Sequence, residues 1–370
     1  MSQNKKSRIL ILPSWYPPAG GGFFRDHAEA LSAGDYIVWV VTNRMMGITR
    51  TPARTILHSL PEQTAYENGL LVQRKGFIKL PLLEKLSVRL WIRAYTSQIR
   101  KFIKVHGCPD LIIIHSAIWA GVAAVRIKNA YRIPVILVEH RSRFASHNGI
   151  TDRFFKNWYT ALLKETYEKV NRIVLVSGAM ENKIKQYHNP SEKNKITVIP
   201  NLVNTDFFHP PSEQKKVTMF TFITVAFLEE VKGIEYLLKA FQLLTLKIQN
   251  QFELRIAGSG TLAKHLDNYA VSLGIKNQVH FTGYLTREGV RTNLQQAHVF
   301  VLPSIIEAFG VALIEAMAVG LPVIATRSGG PESLVTKDTG ILVPVRDSKS
   351  LAKAMEKMYL HYKTYNRKTI

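Results

Sequence analysis

One cysteine in 370 residues, Cys108 in the segment HGCPD, excludes an internal disulfide and any cysteine-rich metal site, and suits a reducing compartment. The 12 histidines form no cluster with metal-ligand spacing. Long apolar runs are also missing. The most apolar window, LIIIHSAIWAGVAAV (residues 111–125), is broken by His115 and Ser116 and stops at Arg126, short of the ~20 residues a membrane-spanning helix needs. It reads as strand, loop and helix start. The opening MSQNKKSRILILPSWYP has an apolar run of only four residues before Pro13, too short for a signal-peptide core, which points to a cytoplasmic protein. There are no short repeats or low-complexity tracts. Acidic residues are scarce as well, 27 against 49 lysines and arginines, for a net charge of +22.

That charge is uneven: residues 1–210 hold 30 basic and 14 acidic side chains, a net +16, and the remainder only +6. The first half therefore expects an anionic partner, whether membrane surface, charged substrate or nucleic acid. Basicity is densest in KLPLLEKLSVRLWIRAYTSQIRKFIKVHG (residues 79–107), where either Leu82, Leu86 and Leu90 or Val88, Trp91 and Tyr95 recur at helical spacing among Lys85, Arg89, Arg93, Arg100, Lys101 and Lys104. This predicts a basic amphipathic helix, either packed with a solvated face or lying on a membrane. No helix-turn-helix, zinc or RNA-binding signature accompanies the charge, so nucleic acid is not expected as a partner.

With 46% hydrophobic residues, the chain can fill the cores of two domains. Apolar β-branched runs alternate with helical patterns throughout: RILIL, YIVWVVT, GLLVQR, DLIIIH, PVILVEH, RIVLVS and KITVIPN, then TFITVAF, FELRIAG, QVHFTG, HVFVLPS and PVIAT. Strands this continuously apolar are buried on both faces, which means parallel sheets flanked by helices. The expected fold class is α/β, with two doubly wound, Rossmann-like domains. The turn-rich stretch with Pro210-Pro211 puts a linker near 205–217 and the domains at 1–208 and 209–370.

In such sheets ligands sit beyond the carboxyl ends of the strands. Glu307 follows HVFVLPS in SIIEAFGVALIEAMAVG, with seven residues between it and Glu315. A helix beginning at Gly310 or Val311 turns free N–H groups of Phe309 to Ala312 and the positive end of its dipole toward an anion, while Gly310 permits close approach. Glu315, early in that helix, can accept paired hydrogen bonds from vicinal hydroxyls, and Glu307 can do the same for a sugar. RSGGPESL repeats the design, with Gly329-Gly330, Pro331 and Glu332. Lys232, before Gly233 and the helix IEYLLKAF, offers a point cation for phosphate. Singly, each is as readily a dipole partner or a turn residue; their recurrence after successive strands points to a site.

These residues, LPSIIEAFGVALIEAMAVGLPVIATRSGGPESL above all, resemble the E-x7-E signature and the following Gly-Gly-x-x-Glu loop of the retaining glycosyltransferases of family 4, and VKGIEYLLKAF, VHFTGYL and IPNLVNTDFF resemble its other blocks. The resemblance runs from PSWYPPAGGGFF to LVPVRD. It implies the GT-B arrangement of two Rossmann-like domains facing across a cleft, the first on the acceptor side, the second binding a nucleotide sugar. It implies Glu315 for the ribose, Glu307 for the transferred sugar, Phe309 and Gly310 for the diphosphate or sugar through their N–H groups, and Lys232 for phosphate. In the first half, AGGGFFRDHAEAL is similar to the family's glycine-rich loop facing the donor phosphates, with Gly21 and Gly22 as approach points. His140, ending PVILVEH, is similar to the histidine beside the sugar; by itself it would read as structural. His115 is a weaker match.

The implied reaction moves a sugar from a nucleoside diphosphate sugar to an acceptor hydroxyl with retention and without a metal or other cofactor. No carboxylate declares itself a nucleophile of the double-displacement type, so front-face attack is expected, the leaving diphosphate taking the acceptor proton. The family commonly has arginine five residues before Lys232; this chain has Phe227, which implies a weaker phosphate hold, a load shifted to Arg25 or another cation, or an impaired enzyme. The family usually continues past LAKAMEKMYL with further helices, whereas this sequence stops at Ile370, so a shortened or truncated end and a less stable domain closure are expected. The expectation is a peripheral enzyme on the inner face of the membrane that extends a glycan or lipid-linked acceptor in surface polysaccharide or lipopolysaccharide biosynthesis. The alternative is a catalytically weak scaffold that binds nucleotide sugar or a partner.

Overall fold

The computed structural model describes the whole chain except residues 1–5, 18–20, 48–50, 52, 146–156, 188–194, 213–218, 249–251 and 368–369. It forms two compact units that divide after Leu202. The first is built on an eight-stranded sheet with strands β1 (Arg8–Pro13), β2 (Ile37–Gly47), β3 (Gln63–Glu67), β4 (Leu70–Lys79), β5 (Leu111–His115), β6 (Val135–Glu139), β7 (Arg172–Leu175) and β8 (Ile196–Val198). Their order is β3-β4-β2-β1-β5-β6-β7-β8, and every pairing is parallel except β3 with β4. Leu10, Ile11 and Leu12 of β1 and Ile112 and Ile114 of β5 are fully buried, as central strands covered on both faces require.

β3 was not among the expected strands. Its QTAYE is polar and almost entirely exposed, and it reaches β4 through a two-residue turn, Asn68 at φ 48° and Gly69 at φ 79°, the left-handed pair that closes a tight hairpin.

The second unit holds β9 (Phe220–Val225), β10 (Phe252–Ala257), β11 (Val279–Gly283), β12 (Val299–Leu302), β13 (Val323–Thr326) and β14 (Gly340–Val343) in the all-parallel order β11-β10-β9-β12-β13-β14. The sequence reading stopped at β13; the four-residue GILV adds β14. Leaving aside the antiparallel edge strand β3, the strand order reverses once in each sheet, between β1 and β5 and between β9 and β12. Chains leaving neighbouring strands in opposite directions open a crevice there, so the residues after those four strands are the ones placed to bind.

Two local readings are settled by packing. The helix Glu84–His106 buries Val88, Trp91, Tyr95, Ile99 and Phe102, whereas Leu82, Leu83 and Leu86 at its start are exposed at 103%, 53% and 44%. The turn-rich stretch expected as a linker is not free over its described part: Phe208 is buried in the second unit's core, and the Arg287 and Arg291 guanidiniums both lie 4.5 Å over the Phe207 ring. Residues 213–217 of that stretch lie outside the described residues.

Candidate functional site

In the second unit, β9 is followed by a loop, a 3-10 turn at Glu230–Lys232, Gly233 in the left-handed region (φ 64°) and the helix Ile234–Lys247. Lys232 ends that turn, and its Nζ lies 2.7 Å from Glu307 Oε2. Glu307 follows β12 and is held from several sides. Its N–H donates to the Ser328 carbonyl (2.9 Å), its own carbonyl accepts from Gly330 N–H (2.8 Å), and its carboxylate accepts from Ser304 Oγ (3.2 Å). The resulting one-rung bridge between Glu307 and Gly329 ties the loops after β12 and β13 together. At 22% and 11% exposed the pair is largely desolvated, so removing either partner would strand a mostly buried charge.

Gly310, at φ 100°, occupies the left-handed region that a side chain strains to adopt and opens the helix Val311–Ala318 as its N-cap. The first N–H groups of that helix have no partner within it, as at any helix N-terminus. Leu313 and Ala316 pack inward, Phe309 is buried, and Glu315 is half-buried in the second turn. The expected repeat at RSGGPESL is shorter than a helix: Gly330–Ser333 is a single 3-10 turn with Pro331 as its second residue, and the Glu332 carboxylate accepts the Gly329 N–H at 2.9 Å. Glu332 therefore caps its own turn. Gly258 and Gly260 serve packing, since a Cβ at either would strike the backbone of Ala226 or Leu228. Phe227 projects from the same loop, 62% exposed.

In the first unit, His115 ends β5 and His140 follows β6 directly. They meet, His115 Nδ1 to His140 Nε2 at 2.9 Å, and a third imidazole joins from the helix Gly22–Ala33, His27 Nδ1 to His115 Nε2 at 3.2 Å. The Phe24 ring lies against His115 and His140 at 4.6 and 4.9 Å between centroids. Burial pushes the His140 imidazole down to about 3, aided by His27 and opposed by the nearby Asn201 amide. Burial, then His140 and His27, holds His115 well below the usual range, and burial lowers His27. All three are neutral at physiological pH.

The backbone carrying His140 is fixed by Glu139, whose buried carboxylate accepts the N–H groups of Ala117 (3.0 Å), His140 (3.0 Å) and Arg141 (3.1 Å) and the Tyr167 hydroxyl (2.8 Å). Burial and Glu139 raise the Tyr167 phenol well above its ordinary value, so it remains a donor. Ser116, buried at φ 71°, accepts from Arg141 Nε at 2.6 Å, and the Arg141 guanidinium lies 5.3 Å over the Trp15 ring.

The two glycines of the expected glycine-rich loop differ. Gly21 is left-handed (φ 78°), and a Cβ there would stand 2.9 Å from the Phe24 and Trp15 rings; a Cβ on Gly22 would meet nothing within 4 Å. Ala19 and Gly20 of that loop lie outside the described residues. Arg25 pairs with Glu29 at 3.7 Å. Lys232 with Glu307, and His115 with His140, are thus brought together at the two sheets' reversal points. Sequence reasoning missed His27. Its only signal was position, one turn after Phe24 on the helix that starts at the glycine loop.

A family model described as "Glycosyltransferase Family 4" matches residues 23–207, and one described as "Glycosyl transferases group 1" matches residues 206–369. An uncharacterized glycosyltransferase of Methanocaldococcus jannaschii is 26% identical over 367 residues, covering 94% of this chain and 88% of its own. The putative colanic acid biosynthesis glycosyltransferase WcaL of Escherichia coli is 31% identical over 214 residues, covering 56% of this chain and 52% of its own. Among solved structures, HepE of Anabaena in complex with UDP-glucose superposes with a TM-score of 0.70 at 19% identity, over 97% of this chain and 91% of that one.

Proposed function

The chain belongs to glycosyltransferase family 4 and is a hexosyltransferase-type enzyme, and from that membership we propose that it moves a sugar, with retention, from a nucleoside diphosphate sugar to a hydroxyl of a glycan or lipid-linked acceptor in surface polysaccharide biosynthesis. The observation that carries this reading is the Lys232–Glu307 pair at the β9/β12 reversal, beside the Gly310-capped N-terminus of the helix Val311–Ala318. A diphosphate there takes the N–H groups of Phe309 to Ala312 and trades part of Glu307's hold on Lys232 for its own oxygens. Glu315 receives the ribose hydroxyls, and Glu307, with its second oxygen outside the Lys232 contact, receives a hydroxyl of the sugar. His140, Gly21 and Gly22 keep the roles that the family resemblance gives them, the first toward the sugar and the glycines toward the phosphates.

A carboxylate already engaged by Lys232 and Ser304 is a poor nucleophile, which favours front-face attack with the leaving diphosphate accepting the acceptor's proton. Helix N-terminus and lysine together stabilise the departing charge, so the reaction proposed needs no metal. The colanic acid relative and the UDP-glucose complex of HepE support surface polysaccharide as the product class and UDP-glucose as the first donor to test.

The work place proposed is the inner face of the membrane. No helix among the described residues is long and apolar enough to cross one. The exposed face of Glu84–His106 instead carries Lys85, Arg89, Arg93, Arg100, Lys101 and Lys104, with the exposed Leu82, Leu83 and Leu86 at one end. That combination suits an anionic bilayer surface.

Phe227 favours the second reading, a weakly catalytic scaffold, because an exposed phenyl group stands where the family commonly has a phosphate-binding arginine. Calorimetric titration of UDP, GDP, ADP and their sugar conjugates decides between them, with Glu315→Ala as control. Selective binding of one nucleotide that Glu315→Ala abolishes is expected; binding of none refutes the enzyme reading.

A further inference from the structure

Three neighbouring strands of the first sheet, β1, β5 and β6, lead within two residues to Trp15, Ser116 and Arg141. Those side chains meet. Arg141 is fixed at three points: its N–H donates to Glu139 at 3.1 Å, its Nε donates to the Ser116 hydroxyl at 2.6 Å, and its guanidinium lies 5.3 Å over the Trp15 ring. The segment that presents Ser116 is itself strained, with Ser116 at φ 71° and Trp119 at φ 68°. The Ser14 hydroxyl braces it, 3.0 Å from the His115 carbonyl oxygen and 2.9 Å from that of Ile118. Such conformations persist only where the surroundings over-determine them, and they gather at ligand sites.

This ordering leaves the far end of the guanidinium uncommitted. Neither terminal nitrogen of Arg141 makes a hydrogen bond among the described residues, and neither is one of the buried polar atoms without a partner, so both open to water. Nor is Arg141 in an ion pair among those residues. The neighbouring carboxylate, Glu139, already accepts three N–H groups and the Tyr167 hydroxyl, which fills the capacity of its two oxygens. Burial lowers the basicity of Arg141; Glu139 and Tyr159 oppose that, and Arg143 adds to it. Arginine keeps its proton regardless, so the site holds a half-buried charge without a counter-ion. Tyr159, close enough to act on that charge, packs against Trp119 at 4.6 Å, and both rings are half-buried.

A rigid fork with two free parallel donors, bordered by aromatic rings, suits an oxyanion that offers two oxygens at once. We propose that Arg141 is the receptor for a carboxylate or phosphate group on the acceptor, so that the enzyme selects acceptors bearing an acidic group. This rests on the reading of the chain as a glycosyltransferase whose first unit takes the acceptor. It also gives the basic excess of the first half a specific target besides a membrane surface.

Ligand-observed NMR titration of the full-length protein at saturating UDP tests this with methyl β-D-glucuronide and sn-glycerol 3-phosphate, each against its neutral counterpart, methyl β-D-glucoside or glycerol. At least one anion is expected to bind roughly 10- to 100-fold more tightly than its counterpart, the worth of a charge-assisted hydrogen bond. Preference for the glucuronide assigns the charge to a uronic acid residue; preference for glycerol phosphate assigns it to a phosphate of the glycan or its lipid carrier. Arg141→Gln should erase the preference, and Arg141→Lys, which keeps the charge without the fork, should lose most of it. Urea midpoints show whether each variant folds, and the lysine variant decides if the glutamine variant does not. Equal binding of anions and counterparts, binding of no probe, or a preference undiminished in a folded Arg141 variant overturns the proposal. If UDP does not bind, the functional reading is what fails, and an anion preference that Arg141→Gln erases would still establish the receptor.

Discussion

Gly330→Ala is a one-methyl probe of how the Glu307 loop is built. Gly330 is not left-handed, so alanine fits its backbone; what stands in the way is space. An added Cβ would lie 2.5 Å from the Phe309 nitrogen and closer still to the Ala308 carbonyl oxygen and Phe309 Cα, where real Cβ contacts essentially never fall under 3.0 Å. The obstacles are backbone, so they cannot rotate away. The turn that carries Glu307, Phe309 and Gly310 must shift by several tenths of an ångström, or the bond from Gly330 N–H to the Glu307 carbonyl must break. Overpacking of this kind costs about 1–3 kcal/mol. If the proposed site holds a diphosphate, displacing the N–H groups at Phe309 and Gly310 would remove a charge-assisted hydrogen bond to it, worth about 1.5–3 kcal/mol or roughly 10- to 100-fold in nucleotide affinity. The assay can localise the damage, because all five tryptophans, Trp15 to Trp158, lie in the first unit. Tryptophan fluorescence during urea unfolding should keep its midpoint in Gly330→Ala, while a calorimetric scan shows the second unit melting earlier and titration shows weaker nucleotide binding. A variant with unchanged melting and nucleotide affinity within about twofold would refute the reasoning, since one hydrogen bond to phosphate is worth more than that.

A Lys232→Met, Glu307→Gln cycle, read by calorimetric unfolding, should show coupling of about 1–3 kcal/mol, because either single change strands a mostly desolvated partner; additivity within ~0.5 kcal/mol would sink the pairing. Three imidazoles with depressed basicity bind fewer protons folded than unfolded, so first-unit stability is full above the unfolded histidine range and declines as pH falls through it toward about 3, the His140 value. Each imidazole contributes a slope of about 1.4 kcal/mol per pH unit in that window, and urea midpoints that stay level between pH 7.5 and 5 would contradict it. Leu82→Ser with Leu83→Ser should weaken binding to phosphatidylglycerol vesicles about 100-fold, at ~1.5 kcal/mol per leucine withdrawn, in sedimentation assays where the wild type also dissociates with added salt; equal binding by wild type and variant would remove the leucine turn from the interface. UDP-glucose turnover should be the same with EDTA as without, and a loss restored by a divalent cation would reverse the proposal of metal independence.

Much of the scaffold could be read from the chain because parallel strands buried on both faces must be continuously apolar, and RILIL or DLIIIH permits little else. β3 escaped because an exposed edge strand needs no such pattern; only the Asn68-Gly69 pair announced its hairpin. The period of the helix Glu84–His106 allowed two apolar stripes, and the choice of Val88, Trp91 and Tyr95 depended on what the sheet offered to cover them. Glu307 and Lys232 could each be suspected from their places after strands, but their pairing spans 75 residues and required the β9/β12 adjacency. His27 and His115, 88 residues apart, share no local pattern at all.

The hairpin that the sequence hid has a bearing on how the molecule survives at high concentration. β3 lies antiparallel on the outer side of β4, and Glu62 just before it and Glu67 at its end pair with Lys75 and Arg74 on the strand beneath. It interposes a short, charged, wrongly directed rung between solvent and a strand whose Leu70, Leu71 and Val72 are buried. A neighbouring copy offering a parallel apolar strand finds nothing to continue. Excising residues 63–67 would leave both reversal-point sites untouched in sequence while baring that strand, and the shortened protein would precipitate before it lost the groups that bind.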